Sequence, residues 1–396
     1  MYTRNVLLLG IAALVSLVAC NGGNNGGDDA GASGGDDGGT IKIGHYASMT
    51  GKEATFGTQV DAGIRLALDE INASGGVLGR KLQVITEDTQ SQTQPAINAV
   101  EKLIGRDEVV ALLGEVASGR TMAAAPVAER EKVPMLTPAS TNEKVTIAKD
   151  GGVLKYIFRI CFIDPFQGEV MAKFASQNLE AKRVALLVDK ANAYSVGLAK
   201  NFTDKFTADG GQIVIEQAYE GGQNDFKAQL TAIKATNPDA IFVPGYYTEV
   251  SLIATQAREL GITVPLLGGD GWDSPVLTQG AAGKALEGCF FSNHFSEQDT
   301  SAIVQTFVKT FRAKYNEEAG AMAALGYDAL KILAKVIQDA GKADRESIAA
   351  GLANLKNYQG VTGTISIDAQ HNATKPAVVL EIKGGRPTYV STIQPG

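Results

Sequence analysis

Apolar residues along this chain fall into two alternating rhythms. Short dense runs of Val, Ile, Leu and Ala predict strands at Ile41–Ala47, Leu82–Glu87, Val109–Leu113, Met135–Thr137, Val184–Asp189, Gln212–Tyr219, Ala240–Val243 and Leu266–Gly268. Between them apolar residues recur at helical spacing. Val60, Ile64, Leu68 and Ile71 form one such stripe, ended by Gly75-Gly76; Val100, Leu103 and Ile104 mark a second, and Phe226, Leu230 and Ile233 a third. Near-continuous apolar strands separated by amphipathic helices predict an α/β fold with parallel sheets covered on both faces. Two stretches break the rhythm: Tyr156 to Phe166 and Gly288 to Phe295 read as extended, with no adjacent helix. A body of 357 residues from Thr40 is too long for one ordinary core. Two lobes follow, with the extended stretches as crossings between them.

The first residues obey a different logic. Arg4 supplies a positive start, Val6 to Leu17 is apolar, and small residues lead to Cys20. That order is the layout of a secretory signal peptide, and a run of roughly a dozen apolar residues is too short to span a bilayer as a helix. Leu17-Val18-Ala19-Cys20 resembles the bacterial lipobox, which implies cleavage after residue 19 and lipidation of Cys20. Asn21 to Gly39 is almost wholly Gly, Asn, Asp, Ala and Ser, so it is expected to be a flexible acidic tether. The membrane would then be met through the lipid anchor alone.

Net charge is −7, or −8 once Arg4 is removed, with no basic run; that argues against a nucleic-acid partner. With Cys20 lipidated, Cys161 and Cys289 remain, one in each crossing. In an oxidising compartment they are either bridged, stitching the hinge, or two buried inert thiols.

A set of short motifs then appears in a fixed order: Ile41-Lys42-Ile43-Gly44, Thr50-Gly51, Phe56-Gly57, and Ile71-Asn72-Ala73-Ser74-Gly75-Gly76-Val77-Leu78-Gly79-Arg80-Lys81. Thr137-Pro138-Ala139-Ser140-Thr141, Phe158-Arg159, Asp164-Pro165-Phe166-Gln167-Gly168, Gly245-Tyr246-Tyr247 and Gly326-Tyr327-Asp328 continue it. Together they resemble the leucine/isoleucine/valine-binding family, the type I periplasmic binding proteins that feed ABC importers. The resemblance implies two Rossmann-like lobes joined by crossing hinge strands. Lobe 1 is expected over 40–158 and 291–360, lobe 2 over 159–290 and 361–396. It implies a monomer with a small amino-acid ligand, permease subunits as partners, and no cofactor or metal.

An amino acid demands donors for its carboxylate, acids or carbonyls for its ammonium, and apolar walls for its side chain, since burying either charge unpaired is costly. The loops Gly114–Ser118 and Ala139–Thr141 each follow a predicted strand and precede a predicted helix, where an anion is welcome. Hydroxyls there also serve as helix caps, and Ser140-x-x-Glu143 is a capping box. The resemblance places Ser118, Ala139 and Thr141 at the family's carboxylate positions and leaves Ser140 to the cap. Asp270 follows a predicted lobe-2 strand, at the end where open α/β sheets bind ligands. An Asp there also suits an Asx-turn; the family carries an acid at this place for the ligand amine. Tyr194 and Tyr246 match family positions that close over the ligand backbone, Phe56 matches a lobe-1 aromatic that lines the side-chain pocket, and Trp272, beside Asp270, is a further candidate wall. For each aromatic the competing role is core packing.

Enzyme signals are lacking. There is no G-x-S-x-G, Walker loop or H-E-x-x-H, and His45, His294 and His371 are scattered. Gly269-x-Gly271-x-x-Ser274 lacks the third glycine of a dinucleotide loop. The expected function is capture of a branched-chain or related amino acid outside the membrane by hinged lobe closure. A sensory module with the same binding chemistry is the alternative.

Overall fold

The computed structural model describes residues 39–395. The signal peptide, Cys20 and nearly all of the tether lie outside the described residues.

The first half runs β1 (Ile41–Ala47), α1 (Ala54–Ala73), β2 (Leu82–Asp88), α2 (Thr93–Gly105), β3 (Ala111–Leu113), α3 (Ser118–Arg130), β4 (Met135–Thr137) and β5 (Ile157–Arg159). Its five strands form one parallel sheet in the order β2-β1-β3-β4-β5. The chain then crosses into α4 (Asp164–Lys173), β6 (Arg183–Asp189), α5 (Ala193–Ala208), β7 (Gln212–Tyr219), α6 (Lys227–Ala235), β8 (Ala240–Phe242), α7 (Tyr247–Glu259), β9 (Leu266–Gly268), α8 (Gly280–Ala285) and β10 (Phe290–Asn293). It returns through α9 (Ala302–Tyr315), α10 (Ala321–Ala340), α11 (Arg345–Ala353) and a small antiparallel sheet of β11 (Tyr358–Gly360), β12 (Gly363–Ile367) and β13 (Ala373–Thr374). A last hairpin, β14 (Ala377–Lys383) and β15 (Arg386–Ile393), adds antiparallel strands to the second sheet, whose order is β15-β14-β10-β9-β8-β6-β7. This is a two-lobed α/β fold with three crossings.

Both sheets reverse winding direction, between β1 and β3 in the first and between β6 and β8 in the second. Loops leaving neighbouring strands there part to opposite faces, and a crevice opens at the strands' carboxyl ends. Each strand is apolar because helices cover both faces: β3, β4, β8 and β9 are buried throughout. α10 lies along α1 so closely that their backbones meet. A Cβ on Gly63 would stand 1.9 Å from the Ala323 carbonyl oxygen, and one on Gly326 2.3 Å from that of Val60.

Several expectations are corrected. The first crossing is shorter than its apolar run, since Ile157–Arg159 pairs with β4 and Asp164 already starts α4. Only a 3-10 turn, Glu143–Thr146, follows Thr141, and its cap is the Asn142 side chain, which accepts from Lys144 N–H. Ser140 is not that cap: its hydroxyl donates to the carbonyls of Glu115 and Val116. The bridge between Cys161 and Cys289 is not formed. Both are free and buried, and the Cys289 sulfur accepts hydrogen bonds from Arg258 Nη2 and Leu266 N–H inside the second lobe.

Candidate functional site

On the first lobe, β3 ends in a loop that folds around one buried carboxylate. Glu115 Oε1 accepts from Ser48 Oγ (2.5 Å), Thr89 Oγ1 (2.9 Å) and Arg120 Nε (3.0 Å), and Oε2 from Ala117 N–H (2.7 Å). Burial pushes this carboxyl up, but Arg120, Ser48 and Ala117 N–H outweigh it and hold it below the usual carboxylate range. The Glu115 carbonyl accepts from Thr121, Thr137 and Ser140 hydroxyls, so the loops after β3 and β4 form one rigid unit. On that unit Ser118 opens α3. The first intrahelical bonds come from Arg120 and Thr121 N–H, which leaves the Ser118 and Gly119 N–H groups at the positive end of the helix. Ser118 Oγ accepts from Asn142 N–H at 3.2 Å.

On the second lobe, three loops converge. Asn192 caps α5 by accepting from Tyr194 N–H, Tyr246 precedes α7, and Asp270 begins a short 3-10 turn after β9. The Tyr194 and Tyr246 rings stack with centroids 5.2 Å apart, and burial holds both phenols protonated. Tyr194 Oη accepts from Gly271 N–H. Asp270 N–H donates to Gln167 Oε1, and Asp270 Oδ2 lies 3.0 Å from His294 Nε2.

A small cavity lies between these two sets. The first lobe contributes Phe56, Val116, Ala139 and Met322; the second contributes Tyr194, Tyr246, Asp270 and Gly271. Ser118 and Thr141, each two residues from a lining residue, are buried without bordering the cavity. Trp272 does not line it: its indole turns into the second lobe, donates to the Val243 carbonyl and packs flat over Gly268. A larger groove, about 1070 Å³, runs between α10 and α11 far from any of these loops.

One polar atom of the lining, Asp270 Oδ1, is buried without a partner, whereas Asp164 lies outside the lining, and a Cβ on Gly197 of α5 would stand 3.0 Å from its Oδ2. Asp164 opens α4, its N–H donates to the Thr141 carbonyl, and its Oδ1 accepts weakly from Gln167. Burial pushes its carboxyl up to about 8, with Asp270 adding to the rise. Asp164, Val116 and Met322 had no role in the sequence reading. For Asp164 the signal was present, as the first residue of Asp164-Pro165-Phe166-Gln167-Gly168; for Met322, buried at the start of α10, none stood out.

The lobes touch beyond the cavity as well. Phe56 meets Tyr246 and Tyr247 edge-on, at 5.4 and 4.9 Å, and Asn142 Nδ2 donates to the Ala193 carbonyl. No group of three or more His, Cys, Asp or Glu side chains that could hold a metal occurs among the described residues.

With this architecture in view, comparison with known proteins is direct. The sequence model of the periplasmic binding protein family matches residues 40–386. The Leu/Ile/Val-binding protein BraC3 of Rhizobium johnstonii is 33% identical over 344 residues, covering 86% of this chain and 90% of that protein. The leucine-, isoleucine-, valine-, threonine- and alanine-binding protein of Pseudomonas aeruginosa is 29% identical over 330 residues, covering 83% and 86%. Among solved structures, a leucine-binding protein of Thermotoga maritima superposes with a TM-score of 0.84 at 42% identity, over 90% of this chain and 99% of that one. The branched-chain amino acid transporter substrate-binding protein of Streptococcus pneumoniae, solved with isoleucine, gives 0.84 at 36%, over 90% and 100%. A solute-binding protein of Rhodopseudomonas palustris, solved with 3,4-dihydroxybenzoic acid, gives 0.80 at 26%, over 90% and 97%. This chain belongs to the periplasmic binding protein family, as a type I two-lobed solute-binding protein of the Leu/Ile/Val-binding group. It is a binding protein and not an enzyme.

Proposed function

We propose that this protein captures a branched-chain or closely related amino acid outside the cytoplasmic membrane and, closed around it, presents it to the permease of an ABC importer. The observation that carries the reading is a cavity shared by the two lobes whose wall holds a buried carboxylate oxygen without a partner, Asp270 Oδ1. A primary ammonium donates to that oxygen and supplies the positive charge that a buried carboxylate needs. An aryl carboxylate of the kind held by the Rhodopseudomonas protein would leave it unmet. The Ser118 end of α3, with the Ala139 and Thr141 backbone, suits the carboxylate. Phe56, Val116 and Met322 favour an aliphatic side chain over a charged one. Export and anchoring through a lipidated Cys20, with the protein acting as a monomer, complete the proposal; mass spectrometry of the mature N-terminus checks the anchor.

Calorimetry against the twenty amino acids and their des-amino analogues tests it. L-leucine, L-isoleucine or L-valine should bind, and 4-methylpentanoate, which is leucine without its amine, should bind far more weakly. Asp270→Asn should cost about 2–5 kcal/mol of amino-acid affinity, because a buried ammonium loses its charge partner. Equal affinity for leucine and 4-methylpentanoate would refute the ammonium site.

A further inference from the structure

Asp270 is held from behind by a histidine that belongs to the hinge. His294 directly follows β10, where the chain leaves the second sheet for α9. It is 2% exposed, its Nε2 meets Asp270 Oδ2 at 3.0 Å, and its ring stacks on Phe162 with centroids 3.7 Å apart. Phe162 lies in the first crossing, between β5 and α4. The charged groups acting on the imidazole are Asp270 from the turn after β9 and Lys375 from the third crossing, between β13 and β14. One ring therefore sits in one crossing, packs on the second and feels the third. Two further hydrogen bonds reinforce it: His294 N–H donates to Asn293 Oδ1, and Asn293 Nδ2 donates to Asp273 Oδ1, three residues beyond Asp270.

The protonation state decides what such a contact does. Burial pushes the imidazole down to about 4, against the pull of Asp270. At neutral pH the ring is uncharged, and only its Nε2 faces an acceptor, so Nε2 carries the proton while Nδ1 stays unpartnered. An imidazolium would cancel the charge that recognises an ammonium. A neutral N–H fixes the carboxylate's orientation and leaves that charge in place.

We propose that His294 is a positioning residue of the ammonium site, aiming Asp270 Oδ1 into the cleft and fastening the ligand-sensing carboxylate to the crossings on which the lobes turn. The proposal rests on reading the cleft as an amino-acid site. His294→Phe keeps a ring for Phe162 and removes the N–H; His294→Gln restores an N–H without the ring. In calorimetry His294→Phe should weaken L-leucine by about tenfold or more, the scale of a lost hydrogen bond to a charged group. Its affinity for 4-methylpentanoate should change less than about twofold, and His294→Gln should recover part of the leucine loss. Equal losses for both ligands, or no recovery by Gln, would make His294 a packing residue and overturn the proposal. A second measurement needs no ligand: nitrogen-15 NMR of the wild-type histidines should show His294 as a single neutral Nε2–H tautomer from about pH 8 down to about 5.5, lost in Asp270→Asn. If wild type binds no amino acid, the functional reading fails while the NMR result still judges the contact. A His294 that titrates near the free value would sink the contact itself.

Discussion

Burial outweighs the pull of Arg159 on Asp164, since the Arg159 guanidinium is directed at the carbonyls of Ser140, Asn142 and Glu143. Burial keeps this carboxyl protonated up to about pH 8. An ammonium paired with Asp270 offsets the repulsion that Asp270 exerts on this carboxyl, which favours the charged form and lowers its pKa. The sign of the linkage follows. Below pH 8 the ligand-free protein holds a proton that the complex gives up, so capture releases up to one proton and affinity rises with pH, by at most about tenfold per unit. Above pH 8 both effects vanish. Calorimetry at pH 7 in buffers of different ionisation enthalpy checks this: the observed enthalpy should track the buffer in wild type and not in Asp164→Asn. Identical enthalpies in every wild-type buffer would show that the bound ammonium does not act on Asp164. At this scale the chemistry was partly legible. Asp270, Tyr194, Tyr246, Phe56 and Ala139 border one cavity, as the motifs led one to expect. Trp272 does not, because neighbouring positions on a tight turn point opposite ways, and sequence adjacency to Asp270 says nothing about direction.

Between elements, the walls of the cavity depend on how closely α1 and α10 approach. Phe56 rides on the first turn of α1 and Met322 on the first turn of α10. The helices are fixed by the contact of Gly63 with Ala323 and of Gly326 with Val60, in which backbone carbonyls fill the space a side chain would take. A carbonyl cannot swing aside as a flexible side chain can. Gly63→Ala should therefore destabilise the protein by about 1–3 kcal/mol in urea unfolding, the range for overpacking. It should also weaken ligand binding as Phe56 and Met322 move apart. Gly105→Ala is the control: nothing lies within 4 Å of its Cβ and its φ is not left-handed, so stability should shift by no more than about 1 kcal/mol. Equal effects at both positions would mean that the close approach is not what sets the helix spacing. Elements were legible where a single periodicity ran unbroken; β1, β4, β7 and β9 match their expected bounds. The closing hairpin escaped because β15, Arg386–Ile393, is an edge strand with half of its residues polar and no buried face to impose alternation. The turn after β4 escaped because Ser140 and Asn142 are both good caps, and tertiary bonds to Glu115 claim Ser140 first.

For the whole molecule, two lobes and their crossings could be read from length and rhythm, but the way they meet could not. The contacts that close the far lip join residues about two hundred positions apart. Tyr247 Oη donates to the Lys52 carbonyl and accepts from Thr55 N–H; Thr248 Oγ1 donates to the same carbonyl, and Thr55 Oγ1 meets Ser274 Oγ at 3.0 Å. None of these residues lines the cavity. They stabilise the closed arrangement whether or not a ligand is inside, so they set how much closure the ligand must itself provide. Tyr247→Phe isolates this effect, because the ring that packs on Phe56 is kept and only the hydroxyl is lost. Its hydroxyl makes two hydrogen bonds, each contributing about 0.5–1.5 kcal/mol, so the dissociation constant should rise by roughly five- to 150-fold. If these contacts form only after the ligand has entered, the change should appear in the dissociation rate. Stopped-flow kinetics with L-leucine, beside X-ray scattering of the ligand-free protein, separates the outcomes. A faster off-rate, an unchanged on-rate and a larger ligand-free radius would place the lip contacts in the closing equilibrium; an altered on-rate with unchanged scattering would show that Tyr247 acts on ligand entry instead.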